Sequence, residues 1–436
     1  MRAARRVLGT RALVGVLFFM VAGGPYGLEE LYAKAGLGLS IVVLLVTPIV
    51  WSLPTALLVG ELGSAIPEEG GFYAWVKRAM GPFFGFQEAW LSFAASVFDM
   101  AIYPTIFASY LGRFFPIFAE GKWSIAAKAA VLAAATIANL RGSKSVGRAS
   151  FLMTVALLLP FVVLAVILVT RGPGDAPVEH APRIGGDLLG GILIAMWNYM
   201  GWDNASTVAA EVDDPQRTYP RAVVFAVLLV SMSYVIPTLA LYAAHIDVRE
   251  WDTGAWANLG GGAAGRVLRG AMVVGGMVCG FGMLNALVLS YSRLPVALAE
   301  DGYLPAILAK RNDKTDAPAA AIVVSALAWT LGLGVSFDRL VSLDILLYGS
   351  SLTLEFAALV VLRIRQPDLP RPYRVPGGLP GAVLLGVAPV ILLVIALVKN
   401  ADGELFGVNA LVIGVGVILV GPLLYYATRN RFGTPT

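Results

Sequence analysis

MVAGGPYGLEE, residues Met20 to Glu30, decides how the rest of the chain is read. An apolar run that would otherwise span a membrane is broken in its middle by Gly23, Gly24 and Pro25, and Glu29 and Glu30 follow at once. Glycine frees the backbone and proline removes a donor, so a helix is not expected to run straight through. Unwound backbone at membrane depth persists only where it is buried in protein or lines a polar cavity. The break therefore reads as one wall of a binding site that needs a partner break elsewhere. Taken alone, the segment fits an ordinary kink equally well, since Gly and Pro are common in membrane helices.

Around this stretch the composition sets the class. Of 436 residues, 58% are hydrophobic and 14% charged, with a mean hydropathy of +0.77; a soluble domain carries about a quarter charged residues. The expectation is an all-α integral membrane protein. The net charge of +4 does not point to nucleic acid, because the basic residues are scattered over many short loops. The single cysteine, Cys279, rules out an internal disulfide, makes a disulfide-linked partner subunit unexpected, and reads as a packed, inert thiol. His180 and His245 fall in loops, so neither a metal cluster nor a cofactor is expected. Arg2, Arg5 and Arg6 before Leu13 to Ala22 imitate a secretory signal, but the apolar run continues past the glycines and reads as a retained first span.

Stretches long enough to cross a bilayer, about 20 residues each, fall at 11–33, 38–64, 83–113, 124–141, 149–170, 187–210, 221–244, 266–297, 318–336, 340–363, 380–399 and 405–428. Twelve spans put both termini on one side. With loops assigned alternately, roughly two-thirds of the 32 Lys and Arg share that side, Lys77, Arg78, Arg141, Lys144, Arg148, Arg363, Arg365 and Arg371 among them, which makes the termini cytoplasmic. The expected location is the plasma (inner) membrane. No linker or extramembrane domain interrupts the spans, so residues 1–436 read as one domain. No G-x-x-x-x-G-K-[ST] loop occurs, and a nucleotide-driven pump is disfavoured.

Span 6 supplies the partner break. After apolar Leu188 to Met196 come Trp197, Asn198, Tyr199, Met200, Gly201, Trp202, Asp203 and Asn204, with Glu211 and Pro215 closing the segment. Interrupted helices at matching places in two halves point to inverted repeats with a site between them. The repeats would be 11–170 and 187–363, with 380–428 adding two further helices. Span 3 carries Ser92, Ser96, Asp99, Tyr103 and Tyr110 on one helical face, and span 10 repeats the device with Asp344, Tyr348, Ser351 and Glu355. A polar stripe with an acid should face the bundle interior. In span 8, Gly276 and Gly280 have the spacing of close helix packing, while Asn285, Ser290 and Ser292 are weaker candidates for cation or substrate contact.

These residues resemble the amino acid-polyamine-organocation transporters. The run from Glu61 through Pro67, Gly70, Gly71, Tyr73 and Trp75 to Gly81 and Pro82 is similar to that family's signature after span 2, and Arg293 with Ala299, Asp301, Gly302 and Pro305 to the segment closing its span 8. Three further stretches resemble the polyamine-uptake branch related to the L-type amino acid transporters: Gly23 to Glu29, Asp99 to Pro104, and Trp202 to Thr207 leading to Pro215. So does the tail from Glu355 and Phe356 through Arg371, Pro372 and Tyr373 to Pro376. The resemblance implies a leucine-transporter-like five-plus-five fold with helices 1 and 6 broken, alternating access, and secondary transport of amino acids or polyamines. The chain departs from the pattern in two places: Pro25 removes an amide that amino acid-selective relatives offer a substrate carboxylate, and Phe151 to Thr170 lacks the lysine of some proton-coupled members.

Charge discriminates between substrates. Taking an ion out of water without a partner costs several kcal/mol, so a site must supply the opposite charge. Glu29, Glu30, Asp99, Asp203 and Glu355 surround the expected cavity while the cations cluster in loops. The expectation is a permease for polyamines or other cationic amines, the ammonium groups bridging Asp99 and Asp203 under Tyr103, Trp202 and Tyr348, whose faces add about 0.5–2 kcal/mol. Gly23, Gly24, Pro25, Glu29, Asn198 and Asn204 complete the expected binding set. A buried carboxylate can carry a proton and release it when an amine arrives, so proton coupling through Asp99 or Glu29 is expected. Glu61 and Glu211 are expected to hold loops through Arg and Lys partners. The alternatives are an amino acid transporter or exchanger, with any sodium on span 1 carbonyls and span 8 serines, and a non-transporting sensor on the same fold. An enzyme is not expected, since no nucleophile-base pair or cofactor motif is visible.

Overall fold

The computed structural model describes residues 8–174, 187–399, 404–405, 408–429 and 431; Arg2, Arg5, Arg6 and His180 lie outside them. The first helix, α1 (Thr10–Val21), stops where Ala22 turns extended, and the backbone stays irregular to Leu28. Helix α2 (Glu29–Thr47) starts with two acids in its first turn, where the helix dipole favours negative charge. It bends sharply at Gly36 (φ 74°, ψ 163°), a backbone conformation that only glycine adopts readily. The piece before the bend completes the interrupted first span. The piece after it runs through a π-helical turn, Pro48–Ser52, into α3 (Leu53–Ala65).

A short amphipathic helix, α4 (Phe72–Met80), precedes α5 (Pro82–Phe114), whose 33 residues extend about 50 Å. Next come α6 (Gly121–Asn139) and α7 (Ser143–Arg171). Helix α8 (Leu188–Asn198) ends in the second break, Tyr199 to Trp202, and a 3-10 stretch, Asp203–Glu211, follows. The remaining helices are α9 (Pro215–Ala243), α10 (Ala255–Tyr291), α11 (Arg293–Glu300), α12 (Ala319–Trp329), α13 (Phe337–Arg365), α14 (Gly378–Lys399) and α15 (Ala410–Thr428).

Among the described residues, eight helices are long and apolar enough to cross a membrane, and two shorter apolar ones, Thr10–Val21 and Ala319–Gly332, accompany them. Two expected boundaries are corrected. The last span starts at Ala410 rather than 405, because Glu404–Leu405 pairs antiparallel with Val408–Asn409 and Asn409 then caps the helix by accepting from Leu411 N at 2.9 Å. Among the described residues this two-residue ladder is the one paired sheet in a mostly helical fold. The ninth stretch stops being α-helical at Trp329 and finishes as a 3-10 turn.

Helices α5, α10 and α13 form the centre, with α5 packed extensively against both others. Gly276 and Gly280 allow it: a Cβ at Gly276 would meet the Tyr110 ring at 2.3 Å, and one at Gly280 would meet Tyr103 O at 2.6 Å. Outward faces are apolar and exposed, including Leu159, Val162 and Val166 on α7 and Val224, Leu228 and Met232 on α9. Water would not tolerate apolar surface on that scale; lipid does.

Candidate functional site

The two breaks touch. Gly201 has φ 94°, and a Cβ placed on it would lie 2.5 Å from Met20 O near the end of α1. On the other side, Gly27 sits against the Trp197 ring, and Asn198 Nδ2 reaches Gly27 O at 3.4 Å. The backbone groups freed by the second break find partners within the protein, as burial requires. Tyr199 O accepts from Ser52 Oγ and from Trp202 Nε1, each at 3.0 Å; Asn198 O accepts from Tyr234 OH at 2.7 Å; Gly201 N donates to Tyr348 OH at 3.1 Å. Gly201→Ala brings a left-handed φ, about 1–3 kcal/mol of strain, together with a carbonyl clash. It is expected to lower the yield of monodisperse protein in detergent several-fold, and wild-type yield and uptake would contradict this crossing geometry.

Behind the breaks lies a group of carboxylates. Asp99 on α5 accepts from Tyr103, one turn further along, and from Tyr291 OH at 3.2 Å. The Tyr103 ring stacks on Trp197 with centroids 6.2 Å apart. Asp203, first residue of the 3-10 stretch, accepts from Tyr348, whose oxygen also takes Gly201 N. Asp344 lies one turn from Tyr348 on α13, and neither of its oxygens has a hydrogen-bond partner. All three are buried, and the charges acting on Asp344 are those of Asp99 and Asp203. Among the described residues no Lys or Arg pairs with any of them. Like charges buried together must be neutralised by a proton or by a bound cation.

The other expected site residues divide. Trp202 is fully buried, with its ring nitrogen spent on Tyr199 O. Asn204 ties the 3-10 stretch to α10, its backbone and side-chain oxygens accepting from Ser290 Oγ at 2.9 and 3.1 Å. Gly23 and Gly24 are close-approach positions, since a Cβ would strike Cys279 Sγ at 2.1 Å and Leu157 at 2.4 Å respectively. Pro25 O accepts from Trp256 Nε1 at 3.0 Å. Glu29 accepts from Gly27 N at 2.6 Å, from Gly254 N at 3.1 Å and from Tyr110. Tyr110 stands eleven residues beyond Asp99 on α5, about 16 Å along the axis. The structure thus brings Asp99, Tyr103, Asp203 and Tyr348 together and leaves Pro25 and Glu29 at the Phe114 end, sealing the first break against the turn before α10. Asn285 serves packing, its O and Oδ1 both accepting from Asn139 Nδ2 at 2.9 Å.

Tyr291, which donates to Asp99, is a site residue that the sequence reading does not single out between Ser290 and Ser292. Its place beside Arg293, at the end of an apolar run, was the available signal.

Towards the Pro82 end several acids buried near loops have basic partners. Glu61 takes Arg363 (Nη2 at 2.5 Å) and Arg371 (Nε at 3.1 Å), Glu211 takes Arg293 at 2.8 Å, Glu69 takes Arg311, and Asp301 takes Lys77 at 2.5 Å. Among the described residues, Glu61 and Glu211 pair with arginines and not with the lysines also expected. A cavity of about 390 Å³ opens here, lined by Glu69, Tyr73, Lys77, Glu300 and Asp301 among others. Arg293 Nη1 also lies 3.0 Å from Ser292 Oγ, a guanidinium where a sodium ion would need an oxygen.

The sequence matches the profile described as amino acid permease over residues 16–418. It is 36% identical over 406 residues to the polyamine transporter RMV1 of Arabidopsis thaliana, covering 92% of this chain and 83% of that protein. To the polyamine transporter PUT1 of Oryza sativa subsp. japonica it is 34% identical over 431 residues, 98% of this chain and 80% of the relative. Similarity extends, at 28% identity over 403 residues, to the large neutral amino acids transporter small subunit 2 of Mus musculus, covering 86% and 73%.

Proposed function

The chain belongs to the amino acid permease family, and from that premise we propose that it is a secondary transporter of polyamines and related cationic amines, working by alternating access. A member of this family is a transporter and not an enzyme. The observation that carries the choice of substrate is the unneutralised carboxylate group at Asp99, Asp203 and Asp344. A diamine there would replace the missing counter-ions, with Tyr103, Tyr348 and Tyr291 directing the acids and the Trp197 and Trp202 rings covering the methylenes.

In this reading residues 1–436 form one domain of twelve crossings. The eight long apolar helices are joined by α1, α6, α8 and α12, and 11–170 and 187–363 are inverted repeats of the five-plus-five kind, followed by two added helices. The crowding of paired Arg and Lys at the Pro82 end supports a cytoplasmic assignment for that end and for both termini, in the plasma (inner) membrane. Coupling to protons follows if Asp99 holds a proton in the empty site and yields it to an arriving ammonium. Glu29, tied by two amides and a tyrosine, is the weaker carrier.

Uptake of a panel of amines and amino acids into liposomes, under separate proton and sodium gradients, tests this. Amine uptake driven by a proton gradient is expected; uptake only of neutral amino acids, or none despite binding, would overturn it. An amino acid transporter remains the second reading, favoured by the similarity to the neutral amino acid transporter subunit. It needs donors for a substrate carboxylate, and Pro25 withholds one at the first break.

The paired acids at the Pro82 end would form the latch that opens and closes. Burial raises Glu69 to about 7, against the pull of Arg311 and Arg293. Exposed by opening, it would return to about 4.3. The closed form therefore binds the proton more tightly, and between about pH 4.5 and 7 acid favours closure. Labelling of a cysteine placed by Ala74→Cys, in a Cys279→Ala background, is expected to slow from pH 7.5 to 5.5 more steeply than it does with Glu69→Gln added. Equal pH dependence in the two would contradict the latch.

A further inference from the structure

Past Asp99 the polar face of α5 continues toward Pro82 through Ser96 and Ser92 to Glu88, and the matching face of α13 runs from Asp344 through Tyr348 and Ser351 to Glu355. The two helices pack together in opposite senses: Phe337, at the start of α13, meets the Trp197 ring that stacks on Tyr103, while Arg365, at its end, donates to Ala79 O just before α5, and Asp203 is held by Tyr348 partway along. Glu88 and Glu355 are fully buried. Ser92 Oγ donates to Glu88 Oε1 at 2.8 Å, but Glu88 Oε2 and both oxygens of Glu355 have no hydrogen-bond partner. Two turns further along α13, Arg363 is committed to Glu61, and among the described residues no other cation pairs with these acids. Carboxyls kept for structure are hydrogen-bonded when buried; three bare oxygens on two facing helices are acceptors waiting for a donor.

We propose that Glu88 and Glu355 form a second ammonium site, which takes the far amine of a long linear polyamine whose near amine sits at Asp99 and Asp203. Eleven residues separate Glu88 from Asp99, and eleven separate Asp344 from Glu355, placing the two sites about 16 Å apart along the helix axes. With bonds of about 1.5 Å an extended chain advances about 1.25 Å per bond, so the thirteen bonds between the end nitrogens of spermine span about 16 Å and the five of putrescine about 6 Å. A diamine reaches one site, and a tetramine reaches both. The inference rests on the amine-transport reading above and adds a selectivity for chain length that the reading does not contain.

The test is initial-rate uptake of labelled putrescine and labelled spermine by the full-length protein in liposomes, comparing wild type with Glu88→Gln and Glu355→Gln. The expected result is a rise of about tenfold or more in KM for spermine, with less than a twofold change for putrescine, which also reports that the variants are folded. Glu88→Asp and Glu355→Asp, which keep the charge, should recover most of the spermine affinity. Equal effects on both amines, no effect on either, or no recovery with aspartate would overturn the second site. A wild-type protein that takes up neither amine would instead sink the transport reading.

Discussion

Asp203→Asn is expected to lower kcat/KM for amine uptake by about a hundredfold to several thousandfold, with Asp99→Asn close behind. The substitutions keep the size and the hydrogen-bonding reach of the side chain, so Tyr348 and Tyr103 still have an oxygen to meet. What disappears is the charge that a buried ammonium needs. Removing one partner of a buried charge pair costs about 3–5 kcal/mol, which is that loss in rate expressed as free energy. Asp344→Asn should do less, because its oxygens orient nothing and Asp99 and Asp203 remain beside it. A split between KM and kcat is informative as well. If Asp99 moves the coupled proton, its asparagine should lose the response to a proton gradient while residual downhill flux persists. Uptake unchanged by Asp99→Asn and indifferent to the gradient would remove both the binding and the coupling role.

The second large effect concerns stability. Glu61 is fully buried; Arg363 grips it through Nε at 3.0 Å and Nη2 at 2.5 Å, Arg371 lies 3.1 Å away, and Val375 N donates to it at 2.7 Å. Glu61→Gln leaves two arginines facing a neutral amide inside the protein. A buried pair broken from one side costs about 3–5 kcal/mol, which should lower the thermal unfolding midpoint in detergent by about 3–5 °C for a chain of 436 residues. Replacing Arg363 by Met in the same chain should return part of that loss, because the uncompensated charge goes with it. A shift of under about 1 °C in Glu61→Gln would show that the pair is dispensable. The same network fastens the tail after α13 to α3, so its loss should also loosen Val375 and Gly378, to which Arg363 donates.

Much of this organisation could be read without coordinates, for definite reasons. Gly23, Gly24 and Pro25 cannot sustain a helix through an apolar run, and Gly201 next to Trp202 and Asp203 marks the second interruption just as clearly. The acid stripes on α5 and α13 follow from helical spacing alone. Glu88, four residues before Ser92 on the same face, extends the stripe on α5 beyond the residues that the sequence reading singled out.

Other placements depended on contacts that no local pattern encodes. Glu29 belongs to the Phe114 end because the turn at Gly254 and the Tyr110 hydroxyl come to it from 225 and 81 residues away. Gly23 and Gly24 looked like ligand-facing glycines and instead admit Cys279 and Leu157. The late start of α15 reflects a capping asparagine and a tight pairing of two-residue strands, too short to leave a period in the sequence.

Amine selectivity rests on the carboxyl groups of Asp99, Asp203 and Asp344, which are buried and, among the described residues, have no Lys or Arg paired with them. The most direct measurement is displacement of labelled putrescine from the purified protein by spermidine, leucine and arginine at equal concentrations. Spermidine is expected to displace the label most strongly and leucine not at all, with all displacement by amines lost in Asp203→Asn. Leucine or arginine competing better than spermidine would contradict it and hand the site to an amino acid.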